Sequence, residues 1–185
     1  MVGEVVAAGR RHGYDRSRME EVVSRMSDPF PALAHDHRRC VDEALAEAVR
    51  LCERRGVRLT PLRRRVLELV WQSHAPVGAY RVMELLGGER GSVAPPTAYR
   101  ALDFLVQHGL VHRIASLNAF IGCRAPAASH RAFFLICRAC REVAELDDAE
   151  LAGTLEQRAA GAGFSVEEAR VEVIGICARC RRMAA

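Results

Sequence analysis

Two cysteine pairs restrict the possible folds of this chain more than any other feature. Cys137-Arg138-Ala139-Cys140 and Cys177-Ala178-Arg179-Cys180 are CxxC knuckles 37 residues apart, and each follows a β-prone stretch. The backbone turn of a CxxC knuckle makes its two thiolates converge, and two knuckles build a tetrahedral four-sulfur cage suited to zinc. Such a cage leaves no open position for a substrate and contributes folding free energy, so its expected role is structural. The competing reading of the same residues is a pair of redox dithiols, or a thiol-disulfide protein. Persistent disulfides do not suit a cytoplasmic chain.

A unit built on that cage is small, about 60 residues from the linker at 124 onward, near the size where a staple is needed. The chain has 185 residues, which leaves room for a second unit. Half of the residues are hydrophobic, which excludes a disordered chain. No run approaches the ~20 apolar residues of a membrane-spanning helix. Residues 1–25 have no continuous apolar stretch of a secretory leader, so a cytoplasmic location without membrane contact is expected. Every basic side chain besides histidine is Arg, and Lys is absent, so a single Arg is weak evidence of a selected bidentate contact. Between Arg50 and Arg65 lie seven Arg and one acid, Glu53. That run suits either a solvated helix face or a phosphate-contacting surface, with Arg64 and Arg65 as candidates for the second role.

The pattern along the chain predicts an α+β protein. Residues 1–39 lack sustained periodicity and read as a flexible N-terminal extension with a short helix near Met19 to Met26. Leu45, Val49 and Cys52 recur at helical spacing from Val41 up to Gly56. Thr60-Pro61 starts a second helix to about Ser73, Ala79 to Leu86 forms a third stopped by Gly87-Gly88, and Pro95-Pro96-Thr97 opens a fourth ending at Gly109. Strands at Leu110 to Ala115 and Ala119 to Cys123 flank a Ser116-Leu117-Asn118 loop. Helices followed by such a hairpin form a winged helix-turn-helix over residues 40–123, whose fourth helix enters a DNA major groove. Ala98, Leu102, Leu105 and Val106 face inward there, and Tyr99, Arg100 and Asp103 face outward or sideways. Residues 124–129 form a Pro-containing hinge, and residues 130–185 a small α/β unit. In it, strands at Ala132 to Ile136, Glu142 to Leu146 and Arg170 to Ile176 surround a helix capped by Asp147 or Asp148.

His112, Cys123, His130 and Glu145 are a second candidate set. Hairpin pairing can bring His112 and Cys123 together, while His130 and Glu145 lie beyond the hinge. The mixed donors suit zinc, and they would bridge the two units. Singly, each also reads as an ordinary surface His or core Cys. His35, His37 and Cys40 read as a flexible polar segment, His12, His74 and His108 as surface positions, and Cys52 as core. Gly87-Gly88 and Gly91 lack the strand context of a phosphate loop. No Ser/His/Asp or Cys/His arrangement has an assigned pocket, so neither enzymatic activity nor a small-molecule substrate is expected.

Three stretches carry a resemblance: Arg58-Leu59-Thr60-Pro61-Leu62-Arg63, the run from Pro95 to Leu105 (PPTAYRALDFL), and Gly109-Leu110-Val111-His112. With the two CxxC pairs, they resemble the ferric uptake regulator (Fur) family, most nearly its zinc uptake regulator (Zur) branch, over about three quarters of the chain. The resemblance implies a winged-helix domain joined to a C-terminal dimerisation domain. It makes Cys137, Cys140, Cys177 and Cys180 the structural zinc site, and His112, Cys123, His130 and Glu145 the regulatory one, two Zn²⁺ per protomer. It places Tyr99 and Arg100 at bases and Tyr80 at a supporting DNA contact, with Thr97 a further DNA-binding candidate. The His-rich stretch of iron-sensing relatives shrinks here to Ser129-His130-Arg131, which favours zinc. The expected function is a homodimeric, zinc-responsive repressor binding double-stranded operators of zinc-uptake genes. An iron or peroxide sensor of the same family is the alternative.

Overall fold

The computed structural model describes residue 30 and residues 37–72, 75–90, 94–127 and 132–183. Helix α1 (His37–Arg54) buries Leu45, Ala48, Leu51 and Cys52. It begins earlier than the periodicity suggested, because His37 to Cys40 add a polar first turn with no apolar signal. It ends at Gly56, where φ is +64° and the Val57 N–H reaches back to the Cys52 carbonyl at 2.9 Å. Helix α2 (Pro61–Trp71) starts as expected: Thr60 caps it from extended backbone and Pro61 occupies the first turn. Val66, Leu67, Leu69 and Val70 line its buried face.

Strand β1 (Val77–Gly78) leads directly into helix α3 (Ala79–Arg90). Gly87 and Gly88 do not stop α3, contrary to expectation. Neither has a positive φ, and a glycine in the last turns of a helix costs only about 1 kcal/mol. Helix α4 (Pro95–Gln107) buries Ala98, Ala101, Leu102, Phe104 and Leu105, and Gly109 closes it at φ +66°. His108 is half-buried rather than on the surface: its ring lies 4.3 Å from that of Phe104. The four helices enclose one core, joined by Val82 and Leu86 of α3.

Strands β2 (Val111–Ile114) and β3 (Ala119–Gly122) pair antiparallel as the wing, and β1 adds to β3 to give the order β1-β3-β2. Asn118 sits at φ 45° in the connecting turn, a conformation Asn tolerates. Gly122 packs against the Trp71 indole so closely that a Cβ there would overlap the ring.

The second unit has strands β4 (Ala132–Cys137), β5 (Val143–Asp147) and β6 (Val171–Gly175) in the order β5-β4-β6. β4 runs antiparallel to β5 and parallel to β6. The crossover holds helix α5 (Ala149–Gly161), capped by Asp148 through the Leu151 N–H at 2.9 Å. A further short helix, α6 (Ala178–Met183), grows from the second CxxC knuckle; its Arg-rich sequence carries no apolar period. α5 buries none of its residues, and Leu151, Phe164, Val173 and Ile174 are exposed. A second core spans the two units: Ile114, with Ile121 beside it, packs with Ala132, Phe134, Ile136 and Val143.

Candidate metal centres and nucleic-acid face

The end of β4 and the start of α6 bring the two knuckles together. The Sγ atoms of Cys137, Cys140, Cys177 and Cys180 all lie within 4.8 Å of one another, and those of Cys140 and Cys177 are 4.0 Å apart. Zn–S bonds of about 2.3 Å arranged tetrahedrally require sulfurs about 3.8 Å apart, so the cage fits. Burial disfavours the Cys137 thiolate, but N–H groups of Cys140, Cys177 and Ala139 outweigh it and hold the thiol below its ordinary range. Arg179 donates to Cys140 Sγ at 3.7 Å and pairs with Glu142, adding positive charge beside the sulfurs. Sequence reading passed over Arg179 and Glu142. All seven cysteines are free thiols, and the four knuckle sulfurs form one cluster rather than two separate dithiols.

The second set assembles at the junction. His112 comes from β2, Cys123 from the residue after β3, and Glu145 from β5; one ligand atom of each lies within 4.8 Å of the others. His112 Nε2 and Glu145 Oε1 are 3.1 Å apart, and Glu145 Oε2 accepts from the Arg124 N–H at 3.2 Å. The His112 ring stands edge-on to Phe134 at 5.2 Å, which fixes its plane. Cys123 is anchored through its N–H to the Leu110 carbonyl. Burial, and then the Glu145 carboxylate, push its thiol up to about 12. One imidazole, one thiolate and one carboxylate are a zinc-type donor set. His130 lies outside the described residues, as do His12, His35 and His74.

The Arg run resolves residue by residue. Arg50 and Arg54 pair with Glu47, Arg55 donates to the His108 carbonyl at 2.7 Å, and Arg63 stacks on Phe104 at 3.5 Å. Arg65 is half-buried against Glu68 at 2.6 Å, whereas Arg64 projects outward. Thr97, Tyr99 and Arg100 are exposed on the first turns of α4, and Tyr80 is 76% exposed at the start of α3. Pro95 and Pro96 remove two N–H groups from the α4 terminus. Among the described residues, no helix is long and apolar enough to cross a membrane.

The sequence model of the Ferric uptake regulator family matches residues 54–174. The zinc uptake regulation protein of Escherichia coli (strain K12) is 36% identical over 139 residues, covering 75% of this chain and 81% of the relative. The peroxide operon regulator of Bacillus subtilis (strain 168) is 27% identical over 138 residues, 75% of this chain and 94% of that one. Among solved structures, a zinc uptake regulator complexed with zinc and DNA superposes with a TM-score of 0.74 at 34% identity, covering 78% of this chain and 97% of that chain. Holo XcZur gives 0.69 at 42% identity, covering 75% and 96%. By its fold, its two cysteine knuckles and these matches, the chain belongs to the ferric uptake regulator family.

Proposed function

We propose that this protein is a zinc-responsive transcriptional repressor, a homodimer that binds operators of zinc-uptake genes with zinc as co-repressor. One observation carries the reading: His112, Cys123 and Glu145, drawn from both sides of the hinge, converge on a point. His130, just past the hinge, completes the set as fourth ligand. Bound there, zinc supplies coordination bonds that join the wing to the C-terminal unit. The four-cysteine cage holds a second, structural zinc, giving two per protomer.

The chain's own residues do the rest. Tyr99, Arg100 and Thr97 meet base edges, Tyr80 supports them, and Arg64 contacts phosphates, while Arg65 stays paired with Glu68. Dimerisation is supported by the exposed apolar side chains of Leu151, Phe164, Val173 and Ile174, and by β6 at the sheet edge. Two recognition helices match two half-sites only if their spacing is fixed. A hundredfold preference of the metal for the fixed arrangement corresponds to about 2.7 kcal/mol of coupling, and operator DNA must tighten metal binding by the same factor.

The test is operator binding by metal-stripped protein across buffered zinc, iron and manganese. Binding that rises with zinc alone supports the reading. Equal binding by stripped and loaded protein overturns it, and a response to iron instead makes the chain an iron sensor.

A further inference from the structure

The junction between the units has a second contact that involves no metal ligand. Glu172 of β6 accepts the backbone N–H groups of Ala115 and Ser116, at the end of wing strand β2, at 2.6 and 2.9 Å. The Ser116 hydroxyl also donates to the same carboxylate. Glu172 and Glu145 are linked by register: Phe134 of β4 pairs with Glu145 on one side and with Glu172 on the other. The three residues therefore form one row across the sheet, on one face.

The spacing of that row matches the wing. Two strand separations put the carboxylates about 10 Å apart, and three residues of extended chain, from His112 to Ala115, also span about 10 Å. His112 meets one end of the row and the 115–116 turn meets the other. Between them Ile114, fully buried and on the same strand face as His112, packs into the cluster containing Phe134. The clasp at the His112 end and the apolar packing of Ile114 hold the near part of the wing, and apolar packing is non-directional and tolerates small rotations. A directional contact at the far end, on the 115–116 turn, removes that freedom.

We propose that Glu172 is a positioning residue: it holds the wing turn to the edge strand of the C-terminal unit and sets the angle at which the metal-clasped reading domain faces DNA. The proposal rests on the repressor reading above. Aspartate in its place is one methylene too short to reach both N–H groups, and glutamine keeps the length but gives up the charge that strengthens both bonds.

The experiment compares wild type with Glu172→Gln in the full-length protein, using amide hydrogen exchange at Ala115 and Ser116, zinc content, dimer mass and operator affinity. The expected result is at least tenfold faster exchange at those two amides, with zinc content and dimer mass unchanged. Operator affinity at saturating zinc falls about tenfold, while the weak affinity of stripped protein does not change. A general folding defect would lower both affinities alike, and that outcome overturns the proposal, as do wild-type exchange and wild-type affinity. Ser116→Ala, which removes only the hydroxyl donor, gives a smaller change in the same direction and serves if Glu172→Gln fails to fold. If wild-type operator binding proves indifferent to zinc, the repressor reading fails, and the exchange comparison still decides whether Glu172 holds the wing.

Discussion

In the proposed repressor, Cys123 carries a single side chain's contribution to sensing. With its thiol pushed up to about 12 by burial and by Glu145, it keeps its proton at neutral pH, and a bound metal must displace that proton. Affinity at the hinge set therefore rises with pH, about tenfold per unit around neutrality, and chelator competition at two pH values measures it. A pH-independent affinity would contradict the assignment of Cys123 as a thiolate ligand. In the same proposal, Arg100 is the corresponding residue on the DNA side. Arg100→Ala should cost roughly 1–3 kcal/mol of specific binding and leave zinc content intact. Unchanged affinity in an operator titration removes it from the readout. Not every side chain was equally legible. The cage could be read from CxxC spacing alone, because local turns make those ligands converge. The hinge set could not, since His112, Cys123 and Glu145 meet only after β2 pairs with β3 and the wing docks on β5. Glu172 gave no signal, because a Glu between two valines reads as the solvent side of a strand.

Among the elements, those with end signals were legible. Thr60-Pro61, Pro95-Pro96, Gly56 and Gly109 each mark a boundary by restricting or freeing the backbone, and the structure keeps all four. β1 and α6 went unseen for physical reasons: β1 is a two-residue strand that exists only through pairing with β3, and α6 is held by the cysteine knuckle rather than by an apolar face. The close approach of α2 to the wing gives a prediction at this scale. Gly122→Ala puts a methyl group into the Trp71 indole, beside Cys123. It should destabilise the reading domain by about 1–3 kcal/mol, seen as a lower thermal midpoint, and weaken zinc binding at the hinge. A midpoint and zinc affinity equal to wild type would show that the indole moves aside freely.

At the scale of the whole molecule, the C-terminal unit is the part least able to stand alone. Its helix α5 buries no residue, and the cluster nearest its sheet draws on the wing. Its stability then depends on the cage. Cys140→Ser should lower both the thermal midpoint and the dimer fraction in sedimentation, and a chelator strong enough to strip the wild-type cage should do the same. If neither quantity moves, the four cysteines are not structural. The two-residue strand β1 has a consequence on this scale. It hydrogen-bonds to the wing through β3 and runs without a break into α3, whose first turn presents Tyr80. The hairpin and the helices are thus a lever arm rather than a set of loose fingers, so a small tilt imposed at its base swings the far tip through a proportionally larger arc.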